Sequence, residues 1–300
     1  MWILLLALAC HGREPVALTF DDGPALNETP LLSQAARNQA MLKALARHHV
    51  VAGLFVTVSK GANRPEGVAF ARAWGEAGHR IGNHTVTHPD LNGAEVTLAA
   101  YEQEILDCDA VIRGLPGYQK LFRFPYLREG NTAEKRDGLR AFLPAHGYRN
   151  AYVTLDTSDW RLAGELVKAL QTNAAADLSP FRKVYVSHLL QRAGAYRELS
   201  RKLLGRDIAQ VMLLHHNLLE ALFLEDGLEA LQADCWQFVD PVQAYRDPVY
   251  QLQPERPAPG QSLLLSIART RGVDLKQYER LMDDADFEVA VLHGGLTHRD

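Results

Sequence analysis

Apolar and polar positions alternate along this chain in two rhythms. Short aliphatic or β-branched runs are followed by longer stretches in which apolar residues recur every three or four positions. The runs predict strands over 16–20, 50–58, 80–82, 120–124, 151–155, 183–187 and 211–214. The longer stretches predict helices over 30–49, 66–77, 94–113, 131–145, 162–174 and 196–204; in the first of these, Leu31, Leu32, Ala35, Met41, Leu42 and Leu45 make one stripe. Such alternation is the signature of βα units on a mostly parallel sheet. No Pro/Gly/Ser linker interrupts residues 16–240, so the pattern favours one closed or nearly closed barrel over two separate domains.

The rhythm changes at both ends. Pro254-Glu255-Arg256-Pro257-Ala258-Pro259-Gly260 is a stiff, extended stretch, and two further helical patterns follow it at 262–271 and 275–284. Residues 278–292 are apolar enough to dock on the barrel, so 241–300 is read as a packed C-terminal helical extension. At the other end, residues 2–9 form an unbroken apolar run with the length of a signal-peptide core, too short to span a bilayer. Leu6-Ala7-Leu8-Ala9-Cys10 resembles a lipoprotein cleavage box. Residues 1–15 are therefore expected to be a signal peptide or lipoprotein leader, with Cys10 lipidated and the protein in the cell envelope or periplasm. The alternative is an apolar N-terminal strand and a cytoplasmic protein.

Composition narrows the class without choosing a function. Of 300 residues, 47% are apolar and 23% charged, an ordinary globular balance that excludes disorder, collagen-like repeats and coiled coils. A net charge of −4 gives no long-range attraction for phosphate backbones, so no nucleic-acid partner is expected. The cysteines Cys10, Cys108 and Cys235 are too few and too scattered for a disulfide framework or a cysteine-based zinc site. With Cys10 lipidated, Cys108 and Cys235 would be left to pair in an oxidising compartment.

Catalytic groups of parallel barrels collect where strands end, and five polar clusters stand there. Thr19-Phe20-Asp21-Asp22-Gly23-Pro24 sets two carboxylates side by side, which repel unless a cation neutralises one. Alone, it also reads as a turn. His84-Thr85-Val86-Thr87-His88-Pro89 offers two imidazoles four residues apart, on one helix face or in a tight loop. Two imidazoles and one carboxylate leave open positions, as in a catalytic zinc site, and the same ligand types also suit mononuclear iron. Arg123-Phe124-Pro125-Tyr126 offers a fixed cation for a carboxylate. Asp156-Thr157-Ser158-Asp159-Trp160 closes an apolar run with acids and an aromatic, and Leu213-Leu214-His215-His216 ends one in histidine.

Together, in this order and spacing, TFDDGP, HTVTH, RFPY, DTSDW and LLH resemble the five motifs of the polysaccharide deacetylases, carbohydrate esterase family 4, over about residues 16–216. The resemblance implies an α/β fold, a distorted (β/α) barrel of about seven parallel strands. It implies a divalent metal, zinc or in some members cobalt, on Asp22, His84 and His88. Asp21 would be the general base, oriented by Arg123, and His215 the general acid, tuned by Asp159. The Tyr126 N–H would serve the oxyanion, and Trp160 and Leu213 would wall the acetyl pocket. His216 also fits the acid motif. The implied activity is removal of N-acetyl groups from an amino-sugar polymer or oligomer such as peptidoglycan, a chitin-like chain or an exopolysaccharide. The alternatives are O-deacetylation of acetylated xylan, hydrolysis of a small amide, and a catalytically silent carbohydrate-binding protein.

Overall fold

The first apolar run becomes the central strand. A computed structural model describes residues 13–257 and 259–294, so the expected leader and Cys10 lie outside the described residues. β1 (Glu14–Gly23) has parallel neighbours on both sides, β2 (Gly53–Val56) and β7 (Gln210–His215). Parallel strands are covered on both faces and read as continuous apolar runs, and Val16, Ala17, Leu18 and Phe20 are fully buried. Beyond β2 come β3 (Arg80–Asn83), β4 (Tyr118–Phe122) and β5 (Arg149–Asn150), and beyond β7 comes β6 (Leu155–Asp156). β8 (Trp236–Phe238) runs beside the first residues of β1. Helices α1 (Gln34–Arg47), α2 (Pro65–Glu76), α3 (Leu98–Ile112), α4 (Ala133–Ala145), α5 (Asp159–Thr172), α6 (Ser179–Leu204) and α7 (Leu218–Ala233) connect the strands. The architecture is the parallel barrel that the alternation predicts, distorted as the resemblance implies.

Two expected strands turn out differently. Residues 183–187 (Lys-Val-Tyr-Val-Ser) lie inside α6, not in the sheet. Val184, Tyr185, His188, Leu189, Arg192 and Tyr196 are buried at helical spacing, and that shared stripe overrides the β-branched run. The stretch 151–155 is not one strand either. Its ends attach to opposite edges of the sheet, Ala151 N donating to Phe122 O (2.7 Å) and Thr154 N to Val211 O (3.1 Å). The chain itself thus crosses the seam of the barrel.

The C-terminal extension seals that seam. After α8 (Pro241–Ala244), α9 (Leu263–Thr270) begins by donating from Leu263 N to Val153 O at 2.7 Å. It buries Leu263, Leu264, Leu265 and Ile267. The expected helix over 275–284 is a 3₁₀ segment, Lys276–Leu281, followed by a turn, and α10 (Asp286–Leu292) follows. Arg192 of α6 pairs with Asp283 at 2.8 Å, and Nδ1 of the buried His188 lies 3.2 Å from Glu288 of α10. Cys108 is a free, buried thiol donating to Val56 O, so it does not pair with Cys235.

Burial pushes the Glu288 carboxyl up, but the His188 ring beside it, with Arg192 beyond, outweighs that and holds it at about 2. A depressed acid stabilises the fold above its unfolded value, here near 4.5, and that contribution is lost as the pH falls toward 2. Glu288→Gln should therefore cost about 2 kcal/mol at pH 7, and progressively less below pH ~4.5, in urea melts run at a series of pH values. A penalty that does not change with pH would show that the Glu288 carboxylate does not hold α10 in place.

Candidate active site

All five polar clusters meet at one end of the barrel. The backbone there is unusual, because Asp22 (φ +61°), Thr85 (+71°), His88 (+61°), Tyr126 (+56°) and Ser158 (+51°) all occupy the left-handed region. Non-glycine residues visit it rarely, and such strain concentrates at functional sites. In β1 the register against β2 shifts between Phe20 and Gly23, around Asp22, while Asp21 stays in register opposite His215.

His84 and His88 are carried by a loop, not a helix. His84 N donates to Val56 O at 3.0 Å, continuing the end of β3. The loop is clamped by Glu104 of α3, whose carboxylate accepts from Val86 N (2.8 Å), Thr87 N (2.7 Å) and Thr87 Oγ1 (2.8 Å). His88 N donates to Thr85 Oγ1 at 3.1 Å. Glu104 carries no mark in the sequence, since nothing but tertiary contact separates it from the other acids of α3.

The donor atoms of Asp22, His84 and His88 lie within 4.8 Å of one another. His84 Nδ1 bonds Arg123 O at 2.8 Å; a carbonyl only accepts, so this nitrogen carries the proton and Nε2 keeps its lone pair. Burial pushes both imidazoles down to about 4, so both are neutral near pH 7. Burial pushes Asp22 up, but His84, His88, His215 and Lys60 pull it back to about 2. Two neutral imidazoles and one ionised carboxylate, with further positions open, fit one divalent ion. A second group, His48, Glu225 and Glu229, also has close donor atoms, but it lies at the end of α1 and on α7, where Arg47 already pairs with Glu225 at 2.7 Å.

Asp21 belongs to a different environment. It is buried, and burial raises its carboxyl above the usual range, against the opposing pull of Arg123. Arg123 Nη1 donates to both oxygens, Oδ1 at 3.1 Å and Oδ2 at 3.2 Å. Its guanidinium sits 4.3 Å over the Phe55 ring. Neighbouring carboxyl groups driven in opposite directions are the usual mark of divided acid and base roles.

His215 and His216 separate cleanly. Asp159, fully buried, accepts from His215 Nδ1 at 2.7 Å, from His215 N at 3.0 Å and from Asn217 Nδ2 at 2.7 Å. Burial lowers the His215 imidazole, but Asp159 more than reverses this and, with Asp22 and Asp21, raises it to about 9. His216 is spent on structure: Nδ1 accepts from Ala25 N (3.3 Å), Nε2 faces Asn38 Oδ1 (3.2 Å), and burial holds the ring at about 4.

Two cavities share Asp22, Lys60, Trp160 and His215. One, of about 530 Å³, extends past Asn27, Asn63, Arg64 and Asn217. The other, of about 440 Å³, extends past Tyr126, Arg128, Leu213 and Asp284. Trp160 and Tyr126, 48% and 52% exposed, offer apolar faces beside the polar centre.

Residues 9–151 match the family model described as polysaccharide deacetylase. That part of the chain, just under half of it, is similar to the polysaccharide deacetylases. A peptidoglycan-N-acetylglucosamine deacetylase of Bacillus cereus is 31% identical over 164 residues, covering 53% of this chain and 52% of that protein. A chitooligosaccharide deacetylase of Bradyrhizobium is 38% identical over 102 residues, covering 34% and 40%. The chain thus spans about half the length of the curated relatives it matches. The crystal structure of a peptidoglycan N-acetylglucosamine deacetylase superposes at a TM-score of 0.54 and 21% identity, covering 78% of this chain and 89% of that one. A family 4 pseudoenzyme of Bacillus anthracis superposes at 0.53 and 15% identity, covering 78% and 66%. The fold is therefore that of the family 4 deacetylases, and it houses both working and silent sites.

In the metal-free chain, proton NMR should find His215 titrating near pH 9 and His216 neutral down to about pH 4. Asp159→Asn should lower the His215 value by more than about one unit. An unshifted His215 in that variant would contradict the role given to Asp159.

Proposed function

We propose that the chain is a hydrolase that removes N-acetyl groups from an amino-sugar polymer or oligomer and releases acetate. The observation that carries this is the pairing across one cavity. Asp21, a buried carboxylate held by Arg123, stands beside a three-residue donor set, and the His215 imidazole, kept charged by Asp159, stands opposite. Amide hydrolysis needs those two functions. One group must take a proton from water as its oxygen adds to the acetyl carbon, and another must give a proton to the sugar nitrogen as the C–N bond breaks.

Asp21 is the base in this reading. Its raised value makes it a stronger proton acceptor than Asp22, and the Arg123 clamp keeps its oxygens in one orientation. His215 is the acid, charged near neutral pH and fixed through Nδ1 so that Nε2 is left for the leaving amine. Asp22, His84 and His88 would hold a divalent ion, zinc or cobalt by donor type, which when bound supplies Lewis acidity toward water and the acetyl carbonyl. The Tyr126 N–H, in a left-handed turn beside the cavity, is the proposed oxyanion donor. Trp160 and Leu213 border the space for the acetyl methyl and the sugar face.

The acid, the base and the donor set are all present, which favours a working site over the silent alternative. The relatives' substrates, peptidoglycan N-acetylglucosamine and chitooligosaccharides, favour an acetylated glucosamine chain here. A cell-envelope location belongs to the same proposal and rests on the apolar run at 2–9.

Incubation with a panel of N-acetylated glycans in the presence of zinc, read by mass spectrometry, should show successive losses of single acetyl groups. Asp21→Asn should lower kcat by about 10³-fold and still take up zinc, whereas Asp22→Ala should fail to retain zinc by elemental analysis. Glycan binding with no acetate released would support the silent protein instead.

A further inference from the structure

Arg123 has five N–H groups, and every one has a partner. Nε donates to Ala151 O at 2.5 Å, and Nη1 donates to the two oxygens of Asp21. Nη2 donates to Thr19 Oγ1 at 3.2 Å and to Tyr245 Oη at 3.1 Å. Tyr245 belongs to none of the five motifs and stands well past the residues that match the family model. It is fully buried, its Oη donates to Tyr152 O at 3.3 Å, and its ring packs 5.0 Å from that of Tyr250. With the hydroxyl proton committed to Tyr152, an oxygen lone pair is left for the guanidinium.

The backbone around Tyr245 is tied to the starts of strands. Asp240, before α8, pairs with Arg80 at the start of β3 (Nε to Oδ2, 3.0 Å) and accepts from Val242 N at 2.8 Å. Tyr245 O accepts from Arg149 Nη1 at 2.9 Å, and Asp247 accepts from Ala209 N, just before β7, at 3.1 Å. We infer that Tyr245 is a positioning residue of the reaction, fixing the Arg123 guanidinium and through it the Asp21 carboxylate. The segment after the barrel is then part of the catalytic unit. This rests on the hydrolase reading above.

Tyr245→Phe keeps the ring and removes only the hydroxyl. The guanidinium loses one of its two Nη2 acceptors, and a displaced base costs rate more than affinity. The expected result on the full chain with zinc is a fall of about tenfold in kcat with KM within about twofold. In an Arg123→Lys background the same change should have little further effect, because the group it positions is gone. Independently of turnover, the Arg123 Nε–H should exchange with solvent faster in Tyr245→Phe, seen by nitrogen-15 arginine NMR.

Should Tyr245→Phe unfold, a fluorinated tyrosine at 245, which weakens the oxygen as an acceptor and keeps the ring, gives the same readouts. A folded variant with wild-type kcat and unchanged Nε–H exchange would overturn the inference, as would an equal loss in the Arg123→Lys background. If the wild-type chain releases no acetate from any glycan, the hydrolase reading fails, and the Nε–H exchange alone decides whether Tyr245 holds Arg123.

Discussion

A carboxylate at the end of a buried parallel strand is tolerated only if a cation and hydrogen-bond donors meet it there. In this protein that cation is Arg123, and its ion pair with Asp21 ties the barrel together at the site. The guanidinium reaches β1 through Asp21 and Thr19, the seam through Ala151, and the C-terminal segment through Tyr245. The Arg123 carbonyl orients His84 from the same residue. One arginine thus sets the proposed base, one proposed metal ligand and the packing between them. Removing it would leave a buried charge unpaired, so its cost would fall on fold and site alike.

With Asp21 satisfied in this way, Asp22 is left to something else. Its neighbours are imidazoles with lone pairs, the Thr57 hydroxyl at 3.2 Å and Lys60 at 3.5 Å. Two adjacent acids can differ so much because the left-handed turn at Asp22 aims them differently: Asp21 is buried on Arg123 at the floor of one cavity, and Asp22 faces both cavities. Asp159 performs the matching service for His215 from α5. These groups come from different strand ends, which is what the parallel barrel contributes: rigid elements that bring distant parts of the chain to one place.

Much of this was legible before any coordinates. The buried run of β1, the alternation of strand and helix, and the order of the five clusters are local signals that the tertiary structure follows. The failures are cases in which tertiary contact overrides local preference. Residues 183–187 look like a strand because Val184 and Val186 are β-branched, yet the stripe they share with His188 and Tyr196 exists only along a helix. The stretch 151–155 has strand composition, and its role in bridging the seam follows from which edges are vacant. Glu104 and Tyr245 were beyond reach for a related reason. An acid on a helix and a tyrosine just past a short one carry no mark of what they touch, and their contacts span 17 and 122 positions in sequence.

The most direct test of the account is anomalous diffraction at the zinc edge from crystals of the zinc-loaded protein, which locates the ion without reference to activity. One strong peak is expected among Asp22, His84 and His88, with Asp21 still on Arg123. A peak on His48, Glu225 and Glu229 alone, or an ion that displaces Arg123 and takes both carboxylates, would contradict it.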